Sequence, residues 1–136
     1  MYLFDTDVLS NVVKRSPSEI LLKKLARLPR ELQHTTSINI GEIYYGANRS
    51  TRKNRIIKAF DEKVFPNVKI VGFDETGGKI FGELKAKLEK QGFSCSEPDL
   101  RIAAIAIQHE MILITGNTRH FSKVPGLKIE NWINPD

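Results

Sequence analysis

Three oxygen-bearing side chains stand where chemistry can gather: Asp5, Asp99 and Asn117. Asp5 follows the short apolar run Tyr2-Leu3-Phe4, and Asn117 lies just past the apolar stretch Met111 to Thr115. If both stretches are parallel strands, both residues reach the same rim of a sheet. Asp99 opens a strongly apolar helical segment and can join them. Carboxylates gathered with few cationic neighbours repel one another unless a cation sits among them, and hard oxygen donors of this kind suit Mg²⁺, with Mn²⁺ as a substitute. The expected product is a divalent-metal site.

Each of these residues also has a plain structural role. Asp5 or Asp7 can cap the helix that follows by accepting from free backbone amides. Ser96 and Asp99 have the spacing of a capping box. Asn117 beside Gly116 is ordinary turn chemistry. Glu42 falls opposite the helical stripe Ile40, Ile43, Tyr44 and Ala47, where a solvated carboxylate is the default, although Gly46 one turn later leaves room for a cleft beside it. The basic segment Arg49, Arg52, Lys53, Arg55 and Lys58 is either a solvated face or a track for phosphates, with Tyr44 and Tyr45 the only aromatic residues close before it.

The elements that must position these residues are legible from periodicity. Tyr2 to Phe4, Gln33 to Ser37, Val68 to Val71, Met111 to Thr115 and Leu127 to Ile129 have strand character. Helical spacing follows Asp7 and resumes after Ser16-Pro17, closing at Pro29; it returns over Asn39 to Ala47 and Arg52 to Phe60, two consecutive helices expected to form a hairpin. Gly77 and Gly78 precede a charged amphipathic helix from Lys79 to Lys90, and Ser96-Glu97-Pro98-Asp99 opens a helix apolar on nearly every side through Ile107, which must be buried. Strands alternating with helices predict an α/β fold with a mostly parallel central sheet flanked by helices on both faces. In such a sheet the working crevice lies beyond the carboxyl ends of the strands.

The chain has 136 residues, enough for one core and too few for two, so residues 1–136 read as one domain. Its single cysteine, Cys95, excludes an internal disulfide, and His34, His109 and His120 are too scattered for a structural zinc site. The start, Met1-Tyr2-Leu3-Phe4-Asp5, has neither the basic beginning nor the apolar stretch of a secretory signal, and no run approaches about 18 apolar residues, so a cytoplasmic protein without a membrane span is expected. A formal net charge of +5 favours a polyanionic partner without demanding one.

Four segments in order, Asp5-Thr6-Asp7-Val8-Leu9, Gly41-Glu42, Pro98-Asp99-Leu100-Arg101-Ile102-Ala103-Ala104 and Thr115-Gly116-Asn117-Thr118-Arg119-His120-Phe121, resemble the PIN-domain VapC family. The ending Val124-Pro125-Gly126-Leu127 with Glu130-Asn131-Trp132 is similar to that of one VapC branch, so the likeness runs from Tyr2 to Trp132. The resemblance implies a metal-dependent endoribonuclease toxin in which Asp5, Glu42 and Asp99 bind Mg²⁺, Asn117 takes the place of a fourth acid, and Thr6 and Thr115 orient the site. It further implies a homodimer silenced by a VapB-type antitoxin, acting on structured RNA such as tRNA or ribosomal RNA, with Arg119 or the basic helix steadying the backbone. Two positions depart from the family pattern: Asp7 stands where Asn is usual, and Asn117 is neutral where relatives are often acidic, which leaves open whether one metal ion or two bind.

Two other readings compete. Asp5-Thr6-Asp7-Val8 also fits the Asp-x-Asp start of haloacid-dehalogenase-type phosphatases, although the later acid pair such enzymes need is missing from Gly116-Asn117-Thr118-Arg119. An inactive PIN-like module binding RNA or protein is the other, with the retained Asp5, Glu42 and Asp99 against it.

Overall fold

Alternation along the short strands sends neighbouring apolar side chains to opposite faces of one sheet, and the rest of the chain is built around those two faces. In the computed structural model, which describes residues 1–135, the strands are β1 (Tyr2–Phe4), β2 (Gln33–Thr36), β3 (Lys69–Val71), β4 (Ile112–Ile114) and β5 (Ile129–Glu130). Their order in the sheet is β3-β2-β1-β4-β5, and every neighbouring pair is parallel. The helices are α1 (Thr6–Val12), α2 (Glu19–Ala26), α3 (Ser37–Arg49), α4 (Lys53–Lys63), α5 (Glu75–Lys90), α6 (Glu97–Gln108) and α7 (Thr118–Phe121). The expected parallel α/β architecture with helices on both faces is therefore what the chain adopts.

Leu3 and Leu113 point into one core with Leu84 and Leu88 of α5 and the apolar body of α6. Phe4 and Ile114, one residue further along the same strands, point into a second core with Val8 and Leu9 of α1, Leu21, Ile43, Phe60 and Trp132. The segment expected to be buried on nearly every side is so: Leu100 and Ile102 through Ala106 of α6 are all within the interior.

Three local expectations need correction. The helix expected from Lys79 begins at Glu75, because the Asp74 carboxylate caps it by accepting from the Gly77 amide at 2.9 Å. Gly77 is thus not a breaker but a close-packing position, where a Cβ would lie 3.2 Å from Gln108 Oε1 and 3.3 Å from Phe73 Cδ1. Tyr44, placed by periodicity on the core stripe of α3, is 38% exposed and stacks on Phe65 instead, with ring centroids 6.5 Å apart. The last extended segment pairs over Ile129–Glu130 rather than Leu127 to Ile129, in register with Leu113 and Ile114.

A parallel sheet gathers all strand carboxyl ends on one edge. From β1 the chain moves outward through β2 to β3, then returns to the other side of β1 for β4 and β5. The topological switch point lies between β1 and β4, which delivers Asp5 and Thr115 side by side.

Burial separates the two side chains on which the core expectation divided. Leu113→Ala, at a fully buried position between the faces, should cost about 3 kcal/mol in urea unfolding. Tyr44→Ala should cost about 1 kcal/mol or less, the scale of one aromatic contact. Equal losses would mean that Tyr44 belongs to the core after all.

Candidate active site

Asp5 ends β1 and caps α1, so its carboxylate is held by its position in the chain before any distant contact forms. Its Oδ1 accepts from the Thr6 amide at 2.8 Å and from Asn39 Nδ2 at 3.2 Å, and its Oδ2 accepts from the Thr115 hydroxyl at 2.8 Å. The capping role and the site role raised from sequence are thus compatible, since one oxygen serves α1 and the other faces β4. The side chain is buried, and desolvation pushes its pKa up to about 6; the hydrogen bonds from Thr115 and Thr6 oppose this, while the charges of Asp7 and Asp99 add to it.

Thr6 carries the arrangement to the next acid. Its hydroxyl accepts from Asn39 Nδ2 at 2.9 Å and donates to Glu42 Oε1 at 2.7 Å. Glu42 is therefore not a freely solvated carboxylate: it is half-buried and points across to the start of α1. Helical periodicity placed it away from the core correctly, but away from the core here means toward the rim of the sheet. A Cβ at Gly46 would meet nothing within 4 Å, so the space beside it is open.

Asn39 was not among the residues singled out, yet it organises the network. It is fully buried, donates from one amide to both Asp5 and Thr6, and accepts at Oδ1 from the Thr36 hydroxyl at 2.6 Å. Its backbone amide in turn donates to Thr36 Oγ1 at 3.1 Å, which caps α3. The available signal was a Thr followed three residues later by a polar side chain at a helix start, which reads as a cap and gives no hint of a partner 34 residues away.

Asp7 turns toward the loop after β4, where its Oδ2 accepts from the Gly116 amide at 2.8 Å. A Cβ at Gly116 would stand 2.7 Å from that oxygen, so any other residue there would force the Asp7 carboxylate to shift. Among the described residues the other oxygen of Asp7, which is buried, finds no hydrogen-bond partner. Desolvation raises the pKa of Asp7, with the Gly116 amide opposing it and the charge of Asp99 adding to it.

At Asp99 the hydroxyl half of the capping box is made, the Asp99 amide donating to Ser96 Oγ at 3.3 Å. Among the described residues its carboxylate returns no such bond and is left half-buried, close enough for its charge to act on Asp5 and Asp7. Asn117 is exposed; its backbone amide donates to Thr115 Oγ1 at 3.0 Å, while its side chain does not cap α7. Arg119 is exposed on α7, and Arg49 lies over the Tyr45 ring at 5.4 Å while donating to its hydroxyl at 3.3 Å. Arg52, Lys53 and Arg55 are exposed at the start of α4.

The donors collected here are all oxygen, from carboxylates and hydroxyls. Among the described residues no three Asp, Glu, His or Cys side chains converge as a finished ligand cage. The acids instead line an open rim, with one carboxylate oxygen of Asp7 unmatched and Asp5 held against its tendency to protonate. That chemistry fits a hard divalent cation such as Mg²⁺, which commonly takes only one or two carboxylates and keeps its remaining positions for water and substrate phosphate. Among the described residues no helix is long and apolar enough to cross a membrane.

The same layout recurs in known proteins. A family model described as PIN domain matches residues 2–127. Ribonuclease VapC2 of Haemophilus influenzae is 36% identical over 132 residues, covering 97% of this chain and 98% of its own. The tRNA(fMet)-specific endonuclease VapC of Shigella flexneri is 27% identical, with 96% of this chain and 97% of that protein aligned. Among solved structures, VapBC2 from Rickettsia felis bound to a DNA fragment from its promoter superposes with a TM-score of 0.89 at 27% identity, over 96% of this chain and 98% of the matched one. With a parallel sheet whose switch point carries Asp5, and with these relatives matching nearly end to end, the chain belongs to the PIN-domain family, in its VapC ribonuclease branch.

Proposed function

We propose that this chain, acting as one domain over residues 1–136, is a Mg²⁺-dependent endoribonuclease and the toxin of a type II toxin–antitoxin pair, hydrolysing phosphodiester bonds in structured RNA such as tRNA or ribosomal RNA. The observation that carries this reading is the buried network in which Thr115, Asn39 and Thr6 hold Asp5 and Glu42 at the carboxyl edge of the sheet. The naming of the Shigella flexneri relative as a tRNA(fMet)-specific endonuclease supports an RNA substrate, and the VapBC complex from Rickettsia felis supports a VapB-type antitoxin as partner. We extend the same reading to a cytoplasmic homodimer.

Asp5, Glu42 and Asp99 would hold the cation, with Mn²⁺ an acceptable substitute. When bound, the cation neutralises charge on the phosphate and activates water for in-line attack. The chain's part is positioning. Thr115 fixes Oδ2 of Asp5, Asn39 fixes Oδ1, and Thr6 fixes Glu42, so the acids do not have to reorganise when substrate arrives. Asn117 would supply a neutral donor beside them, and Arg119 would meet the RNA backbone.

The phosphatase reading is not favoured: it needs Asp7 as a mobile acid and base, whereas Asp7 is tied to the Gly116 amide, and the turn after β4 offers Asn117 rather than an acid pair. The inactive-module reading is weakened by the hydrogen bonds from Thr6, Asn39 and Thr115, which hold the Asp5 carboxylate in place against the pull of burial toward the protonated form.

Cleavage of a folded RNA should require Mg²⁺ or Mn²⁺ and stop in EDTA, and full cleavage in chelator would remove the metal from the mechanism. Asp5→Asn should lose more than the about 10–100-fold that follows removal of an outer partner of a metal ligand, whereas Asp7→Asn should keep most activity. Equal loss in both variants would overturn these assignments.

The Asp5 shift also sets a pH dependence. Its folded pKa of about 6 lies above its ordinary 3.8, so its contribution to stability is fully present below 3.8 and is lost as pH rises through 6. Holding the charged form at neutral pH costs the metal-free fold about 3 kcal/mol. Asparagine caps helices about as well as aspartate, so metal-free Asp5→Asn should melt above metal-free wild type at pH 7, with the gap closing by pH 4. A variant that melts no higher than wild type at pH 7 would mean that the buried charge carries no such cost.

A further inference from the structure

A groove of about 1000 Å³ opens between the end of α1 and the start of α4. Lys14, Arg15, Arg52, Arg55 and Lys63 line it, and among the described residues no acid does. All five are exposed, and among the described residues none of them is in an ion pair.

Helix electrostatics accounts for only part of this crowding. Lys14 and Arg15 follow α1, where cations complement the negative end of the helix dipole. Arg52 and Arg55 sit at the opposite kind of terminus. Arg52 is the N-cap of α4, it makes no side-chain cap, and the first turn holds no acid. Cations there oppose the dipole and repel one another, so the local fold gains nothing from them.

The groove is also placed in a fixed relation to the acids. Helix α1 runs from its cap Asp5 to Val13 at the groove wall, and α3, packed against α1, runs from Glu42 to Ser50 at the same wall. Eight residues of helix span about 12 Å in each case. The two packed helices thus hold Asp5 and Glu42 each about 12 Å along the helix from a groove wall lined by unpaired cations.

We infer that this groove binds the sugar-phosphate backbone of the RNA substrate on one side of the scissile bond, holding a strand that runs from the cations to the acids. The inference rests on the ribonuclease reading and adds to it a second contact region. Arginine forks suit phosphate oxygens. The groove makes the catalytic rim a terminus of a longer binding track, so length of RNA, and not only its sequence at the cut, governs affinity.

The test is binding of a labelled RNA hairpin to the full chain in EDTA, across a salt series. Three double variants are compared: Lys14→Ala with Arg15→Ala, Arg52→Ala with Arg55→Ala, and as control Lys79→Ala with Lys90→Ala on α5. Each groove variant should weaken binding about tenfold at moderate salt and flatten the slope of log affinity against log salt by about 1.4 to 1.8, the loss of two phosphate contacts at about 0.7 each for single strand or 0.9 each for duplex. The control should retain the wild-type slope. All the substituted residues are exposed, and unchanged thermal melts check that folding is not the cause. If wild type binds RNA steeply and both groove variants match it, the groove is not the track and the ribonuclease reading stands without it. If the groove variants keep RNA but lose the antitoxin, the groove serves an acidic protein segment and the inference is overturned. If wild type neither binds nor cleaves RNA, the ribonuclease reading itself fails.

Discussion

A carboxylate taken out of water must be given donors or it will take up a proton, and most of the site follows from how the chain meets that demand at Asp5. Burial alone drives the group toward neutrality. Three donors oppose it, and each comes from a different part of the chain: the Thr6 amide at the start of α1, the Asn39 side chain in α3 and the Thr115 hydroxyl after β4. Meeting the needs of one carboxylate therefore fixes the relative positions of a strand end and two helices. Desolvation still outweighs the donors, which leaves an acid whose charge is maintained at the expense of stability, as is common where structure has been shaped for function.

The polarity of the hydrogen bonds extends that control beyond Asp5. Thr36 donates to the Asn39 carbonyl, which leaves the Asn39 amide free to donate to Asp5 and Thr6. Having accepted from Asn39, the Thr6 hydroxyl directs its own proton to Glu42. Reversing the Asn39 amide would aim a carbonyl at a carboxylate and break the order at its centre. The orientation of an acid at the rim thus depends on a fully buried amide that never faces solvent, and the cost of leaving any of these buried groups unpaired keeps the order rigid.

The parallel sheet, its two-sided core and the buried α6 were legible because they depend on periodicity within short windows. Asp5 and Asp99 were legible for a different reason: their helix-starting context placed them at strand and helix ends, where function collects. Glu42 was not, since periodicity reports only which side of a helix faces the core and says nothing of what lies opposite. Only the family resemblance pointed to it. Asn39 escaped notice because its meaning lies in contacts with Asp5 and Thr6, which are remote in sequence. The misplaced start of α5 has a local cause, a capping Asp74 overlooked in favour of two glycines, of which Gly77 serves close packing against Gln108 of α6.

The distribution of charge reconciles a basic protein with an acidic working edge. A net charge of +5 attracts a polyanion from a distance, yet Asp5, Asp7 and Asp99 concentrate negative charge at the sheet rim, as their mutual influence on protonation records. Left uncompensated, that rim would repel the same phosphates the rest of the surface draws in. The conflict is eased by separation: Asp5 and Asp7 stand at the start of α1 and Asp99 at the start of α6, while the unpaired cations of the groove gather beyond the far end of α1. The acids at the rim act on one another within a Debye length of about 10 Å, so salt does not hide them, and a divalent cation held there would cancel much of the local negative charge. Under the proposed reading, metal occupancy and approach of a polyanion would for that reason be coupled through electrostatics, before any bond to the reacting phosphate forms.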